Sequence, residues 1–315
     1  MQAIIVEKFG PADQLFLTSL PDLSPGQGEV VIELEAAGVG LVDVLQRQGR
    51  LGASAPGYIP GVEVAGRVAA IGAGVDERLV GKRVFALGQG GYAQQFAAGA
   101  DGLVELPEEI TSEAAVALGV NAMVARFSIK MARLRSGERA LVRGASGGIG
   151  SMVAHMAVKL GAEVTAVTSS SMADRVAALG VRRVLERGTA LESEGPFDVI
   201  IDPVAGDAIL ALISTLAPNG RYVVNGAAGG FPPAGVAEVM LQGFSRSPTY
   251  SLLSLDSVPE EERVQVATEL FAEAARGELS PLIAQVLPLH EAAIAHKMLE
   301  AGGNFGKLVL HPWVR

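Results

Sequence analysis

Apolar and polar positions alternate in short runs over the first third of the chain. Val30-Val31-Ile32-Glu33-Leu34-Glu35 begins apolar and then alternates. Val62-Glu63-Val64-Ala65-Gly66-Arg67-Val68 alternates again, and Gly81-Lys82-Arg83-Val84-Phe85-Ala86 makes a further short run. A period of two places every second side chain on one face of a sheet, so these runs predict strands. Ser24-Pro25-Gly26, Ala55-Pro56-Gly57 and Gly88-Gln89-Gly90-Gly91 mark turns between them. Short strands separated by glycine turns predict a small β-rich domain in the form of a partly closed barrel.

The pattern changes near Thr111. Thr111-Ser112-Glu113 followed by Ala114 to Met131 predicts a capped helix. From Glu138 onward, strands and helices take turns: Ala140–Arg143, Gly148–Leu160, Glu163–Thr168, Ala173–Leu179, Asp198–Asp202, Ala208–Leu216 and Arg221–Asn225. That alternation predicts a parallel sheet wound with crossover helices, an α/β fold. The tail from Pro259 predicts a helix over Glu260–Arg276, a strand over Ile283–Leu287, a helix over Leu289–Ala301 and a strand over Gly306–Leu310. The last helix and strand are expected to return to the first domain, which makes that domain discontinuous.

The sharpest local signal is Ala140-Leu141-Val142-Arg143-Gly144-Ala145-Ser146-Gly147-Gly148-Ile149-Gly150. A buried strand enters a glycine turn and a helix begins, with Ile149, Met152 or Val153, Met156 and Leu160 on one face. A helix start offers unpaired N–H groups and the positive end of a dipole, which suits a pyrophosphate. Gly147 lets the backbone approach phosphate and Gly150 lets the helix pack on the strand, while Ala145 stands at the first glycine of the Gly-x-Gly-x-x-Gly pattern. The turn Ala145, Ser146, Gly147, Gly148, Ile149 and Gly150 is therefore the expected dinucleotide site.

Cofactor choice is read at the end of the second strand, where NAD proteins carry an acidic residue. Here Val164-Thr165-Ala166-Val167-Thr168 runs into Ser169-Ser170-Ser171, with no carboxylate before Asp174. A carboxylate repels a 2′-phosphate, whereas the hydroxyls of Ser169 and Ser170 with Arg175 or Arg187 accept one. NADPH is favoured over NADH on this ground; the same serines can instead cap the next helix.

Composition narrows the classes further. The 315 residues are about two domains' worth, enough to bury a core without disulfides or metal. Lys+Arg 25 against Asp+Glu 34 gives −9, which demotes nucleic acid as a partner. No cysteine is present, which removes thiolate nucleophiles, iron–sulfur clusters and cysteine-bound zinc. The longest strongly apolar uncharged stretch, Ala114–Ala125, contains Asn121 and is expected to be too short to span a bilayer. Met1-Gln2-Ala3-Ile4-Ile5-Val6-Glu7-Lys8 meets charge early and reads as a first strand rather than a signal. A cytoplasmic protein is expected.

With these segments placed, the chain resembles the medium-chain dehydrogenase/reductase superfamily, in its zinc-free quinone oxidoreductase (zeta-crystallin-like) branch. The resemblance runs through Ala36-Ala37-Gly38-Val39-Gly40-Leu41-Val42-Asp43, Pro60-Gly61-Val62-Glu63-Val64-Ala65-Gly66, Gly90-Gly91-Tyr92-Ala93-Gln94 and Leu106-Pro107. It continues through Gly144–Gly150, Phe197-Asp198-Val199-Ile200-Ile201-Asp202 and Gly306-Lys307-Leu308-Val309-Leu310. It implies a GroES-like catalytic domain at 1–118 and 259–315 and a Rossmann domain at 119–258.

The resemblance also implies an NADPH-dependent reductase passing hydride to a quinone or an α,β-unsaturated carbonyl. Zinc-dependent members carry a cysteine at Gly40 and a histidine at Val62, so no metal site is implied. His155, His290, His296 and His311 are expected at the surface or in helix packing. Quinone reductases of the group carry an asparagine at Gly40 and a tyrosine near Leu45, so their loss implies a more apolar substrate pocket. Tyr58 and Tyr250 are the candidates for orienting substrate or supplying a proton, water being the alternative. Glu63 and Asp43 are expected to hold backbone, and Tyr92 and Tyr222 to be structural. By matching, Val204, Gly206, Asn225, Gly226 and Ala227 line the nicotinamide half of the cofactor, and Asn304 and Lys307 close over it. A homodimer paired through the segment Phe244–Leu255 is implied as well. The rivals are a metal-free alcohol or aldehyde dehydrogenase and a non-catalytic NADPH-binding protein, crystallin-like or RNA-binding.

Overall fold

The computed structural model describes residues 1–51 and 55–313, the side chain of Glu192 excepted. The chain divides into two compact units, 1–120 with 259–315, and 121–258.

The first unit begins with β1 (Gln2–Val6) and β2 (Leu15–Ser19), an antiparallel pair. β3 (Glu29–Val39), α1 (Leu41–Arg47), β4 (Glu63–Ile71), β5 (Arg83–Leu87), β6 (Gln95–Gly99) and β7 (Val104–Glu105) follow. β3 is long enough to serve three neighbours. Its first half pairs with β6, most of its length with β4, and its end with a strand from the tail. Splitting one strand among three partners curls the sheet on itself, as the alternating runs predict. Gly66 lets β4 approach β3 closely, since a Cβ there would run into the backbone of Glu33.

α2 (Ser112–Ala132) carries the division between the units, which falls between Val120 and Asn121. It matches the helix predicted through Met131 to within one residue, with Arg126 and Lys130 continuing it past the uncharged stretch. By length and composition alone the whole 21-residue helix is long and apolar enough to cross a membrane, whereas the uncharged stretch within it, Ala114–Ala125, is short of that length. The helix is mostly buried in the fold.

The second unit continues with β8 (Arg139–Val142), α3 (Gly148–Lys159), β9 (Glu163–Thr168), α4 (Ala173–Ala177) and β10 (Arg183–Glu186). β11 (Phe197–Asp202), α5 (Ala208–Ser214), β12 (Leu216–Val224), α6 (Val236–Gln242) and β13 (Thr249–Leu252) complete it. All six strands are parallel, in the order β10-β9-β8-β11-β12-β13. The order turns back between β8 and β11, and an open sheet of this kind binds ligands at the carboxyl ends of its strands beside that point. Leu141, Ile200, Ile209, Ile213 and Tyr222 lie in the core of this unit. The strand expected over Phe244–Leu255 is shorter: Ser247 takes a left-handed φ of 51° and Pro248 follows it, so only Thr249–Leu252 pairs.

The tail supplies α7 (Glu260–Ala275), β14 (Ile283–Pro288), α8 (Ala292–Ala301) and β15 (Lys307–His311) to the first unit. β14 and β15 run parallel with α8 crossing between them, and Leu308, Val309 and Leu310 pair with the end of β3. Phe271 of α7 meets Phe85 of β5 edge to face, with ring centroids 5.3 Å apart.

Candidate active site

The glycine turn occupies the carboxyl end of β8. Gly144 has a φ of 59°, and a Cβ there would stand 2.9 Å from Val204 Cγ2. Gly150 would collide with the backbone of Gly144 and Ala145 if it carried a Cβ, so it lets α3 rest directly on the turn. Gly148 makes room for the Asn121 side chain in the same way. Gly147 is different. It is exposed, has an extended backbone, and a Cβ there meets only the Gly144 carbonyl at 3.4 Å. As the N-cap of α3 it provides no side-chain bond to the first N–H groups of the helix, which an intact helix leaves without intrahelical partners.

The ends of the neighbouring strands stand on the same sheet edge. Thr168 closes β9; it is 2% exposed and its Oγ1 has no hydrogen-bond partner among the described residues. The Ser169 and Ser171 hydroxyls bond each other at 3.2 Å, and Ser169 does not cap the turn that follows it. The capping alternative therefore does not describe Ser169. Ser170 is exposed. Arg187 donates its backbone N–H to the Thr168 carbonyl at 2.7 Å, which brings it beside the serines. Arg175 lies exposed in α4.

At the carboxyl end of β11, Asp202 is fully buried and organises the next turn. Its Oδ1 accepts from the N–H groups of Val204 at 2.8 Å and Ala205 at 3.0 Å. Its Oδ2 accepts from Arg143 Nη1 at 2.6 Å and from the Tyr222 hydroxyl at 2.5 Å. Burial and then the Asp202 charge push the Tyr222 phenol far up, so it remains a donor. Gly206 and Gly226 let two turns meet backbone to backbone, against Gly229 and Pro203 respectively. Asn225 donates from Nδ2 to Ser128 Oγ at 2.7 Å and leaves Oδ1 buried without a partner among the described residues. Gly226 and Ala227 follow it half-buried. Tyr250, on β13, packs its ring 5.7 Å from Tyr222 and also keeps a buried hydroxyl without a partner among the described residues.

The remaining candidates lie in the first unit. Lys307 is 5% exposed and forms an ion pair with the fully buried Glu63. Glu63 also accepts from the Val120 N–H at 2.9 Å. Asn304 caps locally, donating to the Met298 carbonyl at 2.9 Å. Gly40 has extended backbone, and a Cβ there would find only ordinary contacts with Asp43, Val42 and Lys307. Leu45 is buried.

Asp43 anchors the start of α1. It accepts from the N–H of Gly40 at 2.8 Å, the N–H of Gly61 at 3.1 Å and the hydroxyl of Tyr92 at 3.2 Å. Burial outweighs these bonds and raises its pKa to about 6. The Tyr92 hydroxyl also lies 3.1 Å from His296 Nε2. Burial, with the Arg47 charge adding to it, lowers His296 to about 3. Tyr58 is pushed up to about 12 by burial and by the Asp43 charge. Among the described residues, no three His, Asp or Glu side chains group as a metal site.

Thr168, Asp202, Arg143 and Arg47 were not among the residues expected from the sequence. Asp202 had a local signal, an acid ending an apolar strand directly before Pro203. Arg47 had none, because its partner Glu300 lies 253 residues away.

Known proteins share this pairing of units. A zinc-binding dehydrogenase model matches residues 172–310, and an alcohol dehydrogenase GroES-like domain model matches residues 26–108. The chain thus combines a GroES-like unit with a dinucleotide-type sheet, and it belongs to the medium-chain dehydrogenase/reductase superfamily. The quinone oxidoreductase of Rattus norvegicus is 32% identical over 98% of this chain and 97% of its own length. A phenolphthiocerol/phthiocerol polyketide synthase of Mycobacterium tuberculosis is 29% identical over 97% of this chain. The chain spans only 14% of that synthase. A mycobacterial protein solved in complex with NADPH superposes with a TM-score of 0.91 at 28% identity, covering 99% of this chain and all of that one.

The buried charges set the stability of the first unit. The Lys307→Met variant strands Glu63 without its cation and loses about 3–5 kcal/mol of stability in urea unfolding. A variant of unchanged midpoint would show that the pair is not structural. A second expectation concerns pH. His296 is neutral in the fold down to about 3 but takes a proton near 6.5 when unfolded, so its stabilisation is intact above 6.5 and drains away toward 3. Asp43 runs oppositely: its raised pKa, about 6 against 3.8, means its contribution is complete below 3.8 and lost as pH rises through 6. Each slope is about 1.4 kcal/mol per pH unit. Unfolding between pH 7 and 4.5 should show His296→Gln gaining relative stability on acidification and Asp43→Asn losing it.

Proposed function

We propose that this chain is an NADPH-dependent reductase that passes hydride to a quinone or an α,β-unsaturated carbonyl without using a metal. The observation that carries the reading is the convergence of the glycine turn with unpartnered polar atoms at one sheet edge. The start of α3, with no side-chain cap on its first N–H groups, suits the pyrophosphate. The buried Thr168 Oγ1, the exposed Ser170 and the nearby Arg187 suit a ribose bearing a 2′-phosphate. The unpartnered Asn225 Oδ1, with Val204, Gly206, Gly226 and Ala227 about it, suits the carboxamide end. NADPH, when bound, supplies the hydride; the chain's part is to hold and orient it and to keep the reacting atoms out of bulk water. The relatives at about 30% identity that are quinone oxidoreductases, and the mycobacterial neighbour solved with NADPH, support the same reading.

Gly40 and Leu45 carry no side-chain donor, which favours an acceptor recognised by shape. Asn304 and Lys307 are assigned to holding the tail of the first unit rather than to direct cofactor bonds, because each already has a protein partner. The outer edge of β13, flanked by the exposed Leu241, Phe244 and Leu252, is proposed as the pairing edge of a homodimer.

The test is loss of nicotinamide absorbance with NADPH or NADH, each offered a quinone and a simple enone. Turnover with NADPH well above NADH is the expected result, and binding of NADPH without turnover on any acceptor would overturn the catalytic reading. Gly147→Asp discriminates the site. Space exists for the side chain, so the fold should survive while its charge lowers NADPH affinity by about 100-fold, or roughly 3 kcal/mol. Unchanged affinity in that variant would remove the glycine turn from the assignment.

A further inference from the structure

The amino ends of β8, β9 and β10 form the sheet edge opposite the glycine turn, and a cavity of about 410 Å³ opens there, wholly within the second unit. Register sets its floor. Arg139 of β8 pairs with Glu163 of β9, Thr165 of β9 pairs with Arg183 of β10, and Glu163 and Thr165 are two residues apart. Aligned partners share a face of a sheet, as do residues two apart, so these four side chains stand on one face. Val164 and Ala166, on the other face, are fully buried, whereas Glu163 and Thr165 are half-buried. The loop before β11 makes the wall through residues 193–195. Two arginines tie it down: Arg139 Nη2 donates to the Glu194 carbonyl at 2.8 Å, and Arg183 Nη1 donates to Glu194 Oε2 at 2.5 Å. Arg182 also lines the cavity and pairs with Glu163.

The charges do not cancel. Arg182 answers Glu163 and Arg183 answers Glu194, which leaves Arg139 over. Among the described residues its guanidinium has a carbonyl for a partner and no carboxylate. It is half-buried and lies 5.6 Å from the centre of the Phe197 ring, which restricts its movement. A chain of net charge −9 thus keeps a cavity in which cations outnumber carboxylates.

A planar guanidinium grips two oxygens of a phosphoryl group at once, and the charge strengthens both bonds. The rest of the lining indicates what the phosphoryl group is attached to. Glu163 and Glu194 offer carboxylate oxygens that accept from hydroxyl groups, and Thr165 offers a hydroxyl of its own. Among the described residues no aromatic or aliphatic side chain lines the cavity, so a base or an acyl chain finds no apolar surface in it. Its volume falls within the range of about 300–1,000 Å³ usual for small-molecule sites.

We propose that this cavity binds a small phosphorylated polyol of the sugar phosphate class, with the phosphoryl group on Arg139 and the hydroxyl groups on Glu163, Glu194 and Thr165. The site is separate from the cofactor edge, because β8 and β9 begin at the cavity and end at the glycine turn and at Thr168 respectively. It does not depend on the reductase reading.

The test is calorimetric titration of the full chain with glucose 6-phosphate, with inorganic phosphate and glucose as parallel arms. Glucose 6-phosphate should bind at one site per chain, more tightly than either arm, and more weakly as salt is added. Arg139→Gln should weaken it by at least about ten-fold. Thr165→Val keeps the side-chain shape without the hydroxyl and should weaken it by about three-fold, which carries the test if Arg139→Gln does not fold. Gly147→Asp, at the opposite edge, should leave the affinity unchanged. Loss of binding in Gly147→Asp with retention in Arg139→Gln would put the ligand on the glycine turn and overturn the proposal. Absence of binding to the wild-type chain at millimolar concentration overturns it too, as does unchanged affinity in Thr165→Val. Inorganic phosphate binding as tightly as glucose 6-phosphate overturns the assignment to a polyol.

Discussion

One buried carboxylate holds the cofactor-side edge of the second unit together. Asp202 ends β11, and its two oxygens are divided among Arg143 after β8, the N–H groups of Val204 and Ala205, and Tyr222 of β12. Three adjacent strand ends are thereby fixed by a single side chain with no exposure to solvent. A carboxylate in that setting is stable only because both of its oxygens are fully engaged. The glycine turn rests on this frame, since Gly144 closes over Val204 and Gly150 closes over Gly144. The features that suit a dinucleotide are thus set largely by backbone placement.

The first unit treats buried charge differently. Glu63 is matched by Lys307, which removes the cost of either alone. Asp43 is matched by backbone N–H groups and a phenol rather than by a contacting cation, and burial outweighs these bonds and raises its proton affinity. Arg47 is matched only in part, by a carboxylate that is itself one-third exposed. The gradient from full pairing to partial pairing runs across one small region, and it separates groups that hold the fold from groups that retain chemical freedom.

The periodic parts of this arrangement were legible in the sequence, because alternation and glycine punctuation are local consequences of strand and turn geometry. The parallel sheet, the turn at Gly144–Gly150 and the apolar face of α3 are all of that kind. Boundaries were less legible where one residue decides. Pro248 was a visible strand breaker that the Phe244–Leu255 reading did not weigh. The polar network had no local signal at all. Tyr92 and His296 are 204 residues apart and Glu63 and Lys307 are 244 apart, so their meeting depends on the whole course of the chain between them.

That separation bears on the order in which the chain can fold as it is made. The second unit is one continuous segment, 121–258, and all six strands of its sheet are available before the tail is synthesised. The first unit is not. β3 appears early, yet the partner for its last residues and the cation for Glu63 both arrive with β15, after the whole second unit has been made. Until then the nascent chain carries a strand end with unpaired backbone and a buried-type carboxylate with no counter-charge. The half made first is therefore the half completed last, and it is the one that depends on protection during translation.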